Sequence, residues 1–383
     1  MSDNVTKLKT ASGRRRFLLR TAVVLLVLVL VMAALLPFLY WDRLNLDRYL
    51  RRFRYEEAAE DVFFDAHSSN RYALCGRELA VASVSGLELF GQDFLRQEEI
   101  SAVTASPALS AAGKYALCYD IGGTALTLAK QKKGQVFSLT AAGPIYDADI
   151  SADGAVAVSA AETGYKSVLR VYDTRHRESF RWFSSTQFMP LCAVSPKGSV
   201  LAAVSLGQED GSFASALQLF RTNDSESSLT VSLGSQMICD LRFLNAKTVC
   251  VLGEDELLFF STDGVKLGAC KLEGYLRRYA FGGENFVLLY LNLFSAGTQG
   301  RVTAVSADGR ELGNVEVREE VLDIAAAGSY FAVLTREQLT VFRSDFTVYD
   351  TAPNEWAASN VLLRSDGSVI LLSDSAASLY LPE

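Results

Sequence analysis

The segment 144–183 most constrains the fold of this chain, because it contains four short β-rich runs separated by turn residues. Asp153-Gly154 lies between the first two runs and is a strong hairpin signal, since glycine tolerates a positive φ without a Cβ clash. A four-stranded meander of this size cannot bury its faces alone. Because similar quartets recur along the chain, the sequence predicts an all-β fold, a β-propeller in which each quartet is one blade.

Eight such units follow one another after residue 62. Their first strands are separated by about 30 to 46 residues, a spacing that suits four-stranded blades. The first strands are predicted near Tyr72, Ala102, Pro144, Pro190, Gln236, Tyr275, Val321 and Trp356. Eight blades are therefore predicted. The alternative is seven blades, if the short unit at 72–100 does not form a blade of its own.

The two ends of the repeat region are complementary. The last unit has only three predicted strands before the sequence stops, whereas the run 62–65, VFFD, precedes the first unit with no partner of its own. Pairing this run with the last unit would complete that blade, close the ring and remove an exposed sheet edge.

The N-terminal region predicts a membrane anchor. Residues 21–41 contain no Asp, Glu, Lys or Arg, and a helix of this length spans roughly 30 Å, the thickness of the hydrocarbon core. The predicted organisation is a basic tail (1–16), a transmembrane helix (17–41), a helical juxtamembrane stalk (42–60) and the propeller (61–383). A cleaved signal peptide, or a twin-arginine signal at Arg14-Arg15-Arg16, is the alternative, but the long apolar core and its bulky end, Phe38 to Trp41, favour a retained anchor.

The orientation of the anchor follows only weakly from charge, because Lys and Arg are almost equally numerous on the two sides of the span. A short tail before a first span usually stays in the cytoplasm, which predicts a single-pass protein of the cell membrane with an extracytoplasmic propeller. The lipid bilayer is then one partner. The apolar stripe within 42–60 either packs on the propeller or lies on lipid headgroups.

Charge and cysteine content exclude some classes of protein. The formal net charge of −7 argues against nucleic acid as a partner. Six cysteines occur without any Cys-x-x-Cys motif, so we expect buried small side chains rather than a disulfide framework. If any pair bridges, Cys239 and Cys250 are the best candidates, since they are predicted on adjacent strands.

Several phrases resemble an uncharacterised family of single-span, propeller-type membrane proteins from Gram-positive bacteria of the clostridial group. The most specific are GYKS and FRWFSS, within 163–185; YALCYDIGG (115–123) and SPKGSVLAAVSL (195–206) accompany them. The resemblance covers most of the chain and implies a membrane-tethered propeller. It implies no activity, and no catalytic residue is carried over.

The sequence offers no catalytic, cofactor-binding or metal-binding set. Its only histidines are His67 and His176, the second in a charged turn where it is expected to be solvated, and nucleophile and zinc motifs such as GxSxG and HExxH do not occur. Three tryptophans are too few for a quinone-cofactor propeller with one docking motif per blade. A pair of carboxylates from distant blades could still serve a glycan hydrolase or lyase working in the central funnel.

The sequence therefore favours a non-catalytic interaction or cell-envelope scaffold, with an unidentified protein or cell-wall partner; a carbohydrate-active enzyme is the alternative, and a sensor that signals through its short tail is third. Aromatic residues are the candidate contacts, because exposed rings on one loop face are typical binding hot spots. The segments 206–214 and 292–300 are predicted as long loops, which are often functional. The candidate partner-binding residues are Tyr165, Trp182, Phe183, Phe188, Phe213 and Phe294.

Overall fold

Eight four-stranded antiparallel sheets follow one another along the chain, as the recurring quartets predict. A computed structural model describes residues 25–26, 29, 31, 55, 61–209, 211–224, 228–283 and 286–383. Each sheet is one blade whose four strands are consecutive in sequence, with one exception at the ends of the chain. The first strands of successive blades contact one another around the central channel, so they are the inner strands.

The strands are numbered in chain order. The first strand and blades 1 to 4 comprise β1 (Asp61–Phe63); β2 (Arg71–Cys75), β3 (Glu78–Ala82), β4 (Gly86–Phe90), β5 (Arg96–Ser101); β6 (Pro107–Ala112), β7 (Tyr115–Asp120), β8 (Ala125–Lys130), β9 (Gly134–Thr140); β10 (Ile145–Ile150), β11 (Val156–Glu162), β12 (Tyr165–Tyr172), β13 (Glu178–Ser184); β14 (Phe188–Val194), β15 (Val200–Glu209), β16 (Ser212–Arg221) and β17 (Ser228–Gly234). Blades 5 to 8 comprise β18 (Ile238–Phe243), β19 (Thr248–Gly253), β20 (Glu256–Ser261), β21 (Lys266–Lys271); β22 (Tyr275–Ala280), β23 (Phe286–Asn292), β24 (Gly300–Ser306), β25 (Glu311–Val317); β26 (Val321–Ala327), β27 (Tyr330–Thr335), β28 (Gln338–Arg343), β29 (Val348–Pro353); and β30 (Asn360–Leu363), β31 (Val369–Leu372), β32 (Ala376–Tyr380).

The ring closes through β1, which confirms the predicted pairing of the first run with the last unit. Val62 lies opposite Ala377 in an antiparallel pair, so β1 becomes the fourth, outer strand of blade 8. The paired residues are 61–63 rather than the predicted 62–65. Blade 1 forms its own sheet, so the count is eight blades and not seven.

The hydrophobic core is divided among the interfaces between blades. The described residues form eight apolar clusters, each joining two neighbouring blades. One of them packs Leu79 and Phe90 of blade 1 against Ile370 and Leu372 of blade 8, which seals the ring. Because the second strands face a neighbour on both sides, they are almost wholly buried, as in β23 and β27.

The two ends of the propeller differ in their connections. Turns between the first and second and between the third and fourth strands of a blade lie at one end, which we call the turn face. Loops between the second and third strands, and the connections from one blade to the next, lie at the other end, the loop face. The Asp-Gly turns belong to the turn face; Gly154 has φ 95°, and a Cβ there would lie 2.6 Å from the Tyr115 ring.

The predicted tail (1–16), transmembrane helix (17–41) and stalk (42–60) lie outside the described residues, apart from five positions. Leu25, Leu26, Val29 and Val31 are helical, and Tyr55 is buried. Within the part of the chain that the structure describes, no helix has the length and apolar character needed to cross a membrane.

Blade 4 corrects the prediction of a long loop at 206–214. Here β15 and β16 extend into a ribbon, in which Gly207, Gln208 and Glu209 pair with Ala214, Phe213 and Ser212. The sequence there is polar and rich in glycine, and it lacks the alternation of apolar and polar residues that predicts a strand. The other long loop was predicted correctly, since residues 293–299 connect β23 to β24.

Cysteine and histidine environments also differ from part of the prediction. All six cysteines are free, including Cys239 and Cys250, and four of them are buried as expected. His176 is not simply solvated: its ring stacks on Phe137 with centroids 5.1 Å apart, and burial lowers its pKa.

Tyr55 joins the seam of the ring at the turn face. Its ring lies 5.0 Å from the guanidinium of Arg364, which is 2% exposed and also lies 5.8 Å from the Phe94 ring. The Tyr55 hydroxyl donates to Asp366 (3.3 Å) and accepts from Ser368 (3.3 Å). The guanidinium nitrogens of Arg364 make no hydrogen bond to another described residue, so the two rings are the main neighbours of this charged group.

We expect Tyr55→Ala to reduce the free energy of unfolding by about 2 to 3 kcal/mol, because it removes a cation–π contact and uncovers a buried charge. Tyr55→Phe keeps the ring and loses only the hydroxyl, so it should cost about 1 kcal/mol. Urea unfolding followed by fluorescence measures both variants. Equal losses in the two variants would show that the ring over Arg364 contributes nothing.

Candidate functional site

The loop face carries most of the candidate partner-binding residues in exposed positions. Tyr165, Phe183, Phe188, Phe213 and Phe294 all have exposed rings. Trp182 differs, because it is partly buried at the interface of blades 3 and 4 and lies 5.1 Å from the Phe220 ring. Packing therefore accounts for Trp182, and the other five remain available to a partner.

A groove between blades 3 and 4 brings two of these rings together. It has a volume of about 570 Å³ and runs between Phe188 and Phe213, with Lys166 and Leu206 along its walls. The ammonium of Lys166 lies 5.1 Å from the centre of the Phe188 ring, and Tyr146 meets the same ring edge-on. The groove thus combines two aromatic rings and Leu206 with one cationic side chain.

Two further candidate rings form a pair in blade 3. Tyr165 and Phe183 have ring centroids 4.6 Å apart, and the Arg181 guanidinium lies 5.8 Å from Phe183. Phe294 is not brought to this region, since it lies in the loop of blade 6. The fold therefore brings five of the six predicted residues to blades 3 and 4, four of them with exposed rings.

The inner strands carry a set of carboxylates that the sequence analysis missed. Asp147 accepts hydrogen bonds from the Tyr119 hydroxyl (2.7 Å) and from the backbone N–H of Cys192 (2.9 Å). Asp149 accepts from the N–H of Val194 (2.9 Å), and Asp323 from that of Val361 (2.9 Å). Each of these carboxylates therefore joins its blade to the inner strand of the next one.

A repeated sequence pattern could have revealed part of this set. In three blades an aspartate follows an apolar residue by two positions, immediately after a register shift at the start of the inner strand. The three phrases are Ile145-Tyr146-Asp147, Ile238-Cys239-Asp240 and Val321-Leu322-Asp323. Because most other aspartates fall in hairpin turns, turn chemistry obscured the pattern.

The central channel opens on the turn face through a cavity of about 440 Å³, lined by inner-strand residues of blades 1 to 6. Arg242 of blade 5 reaches Asp149 of blade 3 (Nη1 to Oδ1, 3.2 Å) and also lies 3.6 Å from Asp240. Ser110 donates to Asp149 at 2.8 Å. The charged groups at this mouth are therefore engaged with one another.

Burial alters the protonation of the channel carboxyls. It raises the pKa of Asp147 to about 7, although the hydrogen bonds from Cys192 and Tyr119 oppose the rise. Burial likewise raises the pKa of Asp323 to about 6. Among the residues that the structure describes, no group of three or more Cys, His, Asp or Glu side chains is arranged to hold a metal ion.

Comparisons with known proteins agree with the fold. The model of a family of unknown function, DUF5711, matches residues 51–348. No curated protein matches the chain. Three solved structures with the same fold share little sequence with it. They are BamB from Moraxella catarrhalis (14% identity, 84% of this chain and 96% of that one, TM-score 0.51), the C-terminal WD40 domain of Sif2 (12%, 84% and 97%, 0.57) and Chaetomium thermophilum Sqt1 bound to the N-terminus of the ribosomal protein L10 (11%, 83% and 98%, 0.54).

Proposed function

We propose that this chain, which belongs to the DUF5711 family of unknown function, acts as a membrane-anchored binding module whose propeller holds a protein or cell-envelope partner without catalysing a reaction. The observation that carries the proposal is the collection of exposed aromatic rings on the loop face of blades 3 and 4. Aromatic side chains in a concave, partly cationic setting are typical anchors of protein interfaces.

The membrane orientation of the propeller is a further part of this proposal. Residues 21–41 carry no Asp, Glu, Lys or Arg, and a short tail before a first span usually stays in the cytoplasm. The propeller would then lie on the extracytoplasmic side. Protease treatment of intact cells tests this orientation: loops of the propeller should be cleaved without lysis, and protection until lysis would contradict it.

Among solved propellers of this fold, Sqt1 binds the N-terminus of the ribosomal protein L10. A propeller surface can therefore receive a segment of a partner protein. The alternative function, a glycan hydrolase or lyase in the central funnel, draws on the carboxylates at the turn-face mouth. Asp149 and Asp240 are both bound by Arg242 there, which favours a structural use of these groups over acid–base chemistry.

We expect the double substitution Phe188→Ser and Phe213→Ser to reduce recovery of the native partner at least about 30-fold after crosslinking on intact cells. Loss of two buried aromatic anchors commonly costs 2 kcal/mol or more. Quantitative mass spectrometry of crosslinked complexes provides the measurement.

Val348→Ser is the matched control, because Val348 is 58% exposed but lies at the turn face. The amount of native partner recovered with this variant should equal the amount recovered with the wild type. If the double variant keeps its crosslinked partners, the loop face is not the binding surface.

A further inference from the structure

The ribbon of blade 4 extends beyond both of its neighbouring strands. Leu206 is the last residue of β15 that pairs with β14, and Ser215 is the outermost residue of β16 that pairs with β17. Beyond them the two strands pair only with each other, from Gly207↔Ala214 to Glu209↔Ser212. Blade 4 therefore presents two short strand edges without a neighbouring strand, and unpaired edges are templates for another strand.

The pairing pattern identifies the free backbone groups. The Thr222 N–H donates to the Ser199 carbonyl (3.1 Å), so these two residues form a hydrogen-bonded pair at the start of the ladder. The register is regular from Val200 to Glu209, so hydrogen-bonded pairs recur at every second residue, at Gly207 and Glu209. Because the direction of the backbone groups alternates along a strand, the N–H and C=O of Gln208 point away from β16. They point to the side of β15 on which β14 pairs up to Leu206. Among the described residues, no backbone hydrogen bond to Gln208 is made on that side.

The aromatic groove runs along this same edge. Its lining combines the connection into β14, at Thr186 and Phe188, with Leu206, Gly207 and Gln208 of the ribbon. A free strand edge and an apolar groove therefore lie side by side. Lys166 is in the same wall, and none of the described carboxylates forms an ion pair with its ammonium.

We propose that an extended, acidic segment of a partner protein adds to the β15 edge as a further strand, in line with β14. Its backbone pairs with Gln208, an apolar side chain enters the groove between Phe188 and Phe213, and a carboxylate meets Lys166. This inference rests on the proposed function and specifies the class of partner. Strand addition provides affinity through backbone hydrogen bonds and specificity through alternate side chains.

Charge favours a foreign segment over a second copy of this chain. Edge-to-edge pairing of two ribbons about a two-fold axis would bring the two Lys166 side chains toward one interface, and like charges at an interface are unfavourable. An acidic segment instead complements Lys166.

The test uses the full chain in detergent micelles and a displayed library of random peptides of about nine residues. Enriched peptides should alternate apolar and acidic residues. In fluorescence anisotropy, Gln208→Pro should weaken the best peptide about tenfold or more, because proline removes the edge donor, whereas Gln208→Ala should bind like the wild type. A peptide that is N-methylated at alternate backbone positions should lose binding to a similar extent.

Equal binding of the parent and N-methylated peptides, or equal binding by Gln208→Pro and Gln208→Ala, overturns strand addition. So does an enriched set without acidic alternation, or a wild-type dimer in light scattering that Gln208→Pro converts to a monomer. If the crosslinked native partner is lost from the Phe188→Ser, Phe213→Ser variant but retained by Gln208→Pro, the binding module stands and only the strand-addition mode fails.

Discussion

A chain that begins at Asp65 should unfold roughly 10 °C below one that begins at Tyr55, or aggregate before it unfolds. The shorter chain lacks β1, so blade 8 keeps three strands and β32 gains an open edge. It also loses Val62 and Phe64, which pack against the cluster that joins blades 8 and 1. Burial of two such side chains and one strand pairing is worth on the order of 5 kcal/mol, which is a shift of this size in a domain of several hundred residues.

Differential scanning calorimetry and light scattering measure this effect. The chain that begins at Tyr55 is the reference, and Tyr55→Ala in that chain is the matched control, because it removes the contacts of Tyr55 with Arg364 and Asp366 but retains β1. If the chain that begins at Asp65 unfolds at the same temperature as the Tyr55→Ala variant, the ring does not depend on β1 for closure.

The second large effect concerns Asp147, whose pKa burial raises from 3.8 to about 7. Between pH 4 and pH 7 the native carboxyl keeps a proton that the unfolded chain releases. This contribution to stability is therefore fully present below about pH 4 and is lost as the pH rises to about 7. Asp147→Asn carries no ionisable group, so its stability relative to the wild type should increase by roughly 2 to 4 kcal/mol over this range.

Urea unfolding at several pH values measures the difference. Tyr119→Phe is the control, because it removes one donor to Asp147 and leaves the carboxyl in place. Its stability should still fall between pH 4 and pH 7, at least as steeply as that of the wild type. A constant difference between Asp147→Asn and the wild type would show that this carboxyl is already ionised in the native state at low pH.

Most of the fold follows from local sequence signals. Asp153-Gly154 and Asp366-Gly367 mark turns that the structure contains, and the unpartnered run near Val62 predicts the closing strand because a blade with three strands leaves an open edge. The errors have physical causes. Residues 207–209 and 212–214 form a ribbon that extends beyond the neighbouring strands of its sheet, so the alternation of buried and exposed residues that normally reveals a strand is weak there.

The candidate site is less accessible to sequence analysis. Phe188 and Phe213 line one groove because β14 and β16 flank β15 in the same blade, and nothing local to either residue indicates the groove between them. Trp182 is close to Phe183 and Phe188 in sequence, but alternation along β13 directs its side chain into the interface between blades. Asp147 and Asp323, which fasten one blade to the next, are not singled out by any local signal among the many aspartates of the sequence.

The attachment of Tyr55 and β1 at one seam has a mechanical consequence. Tension applied through the N-terminal part of the chain reaches Tyr55 first and then β1, whose direction runs from the turn face toward the loop face. The ladder between β1 and β32 would be loaded along the strand axis, so its hydrogen bonds would resist together rather than break one after another. A pull on the N-terminal segment directed away from the turn face would therefore load the pairing of β1 with β32 in shear once the contacts of Tyr55 have yielded.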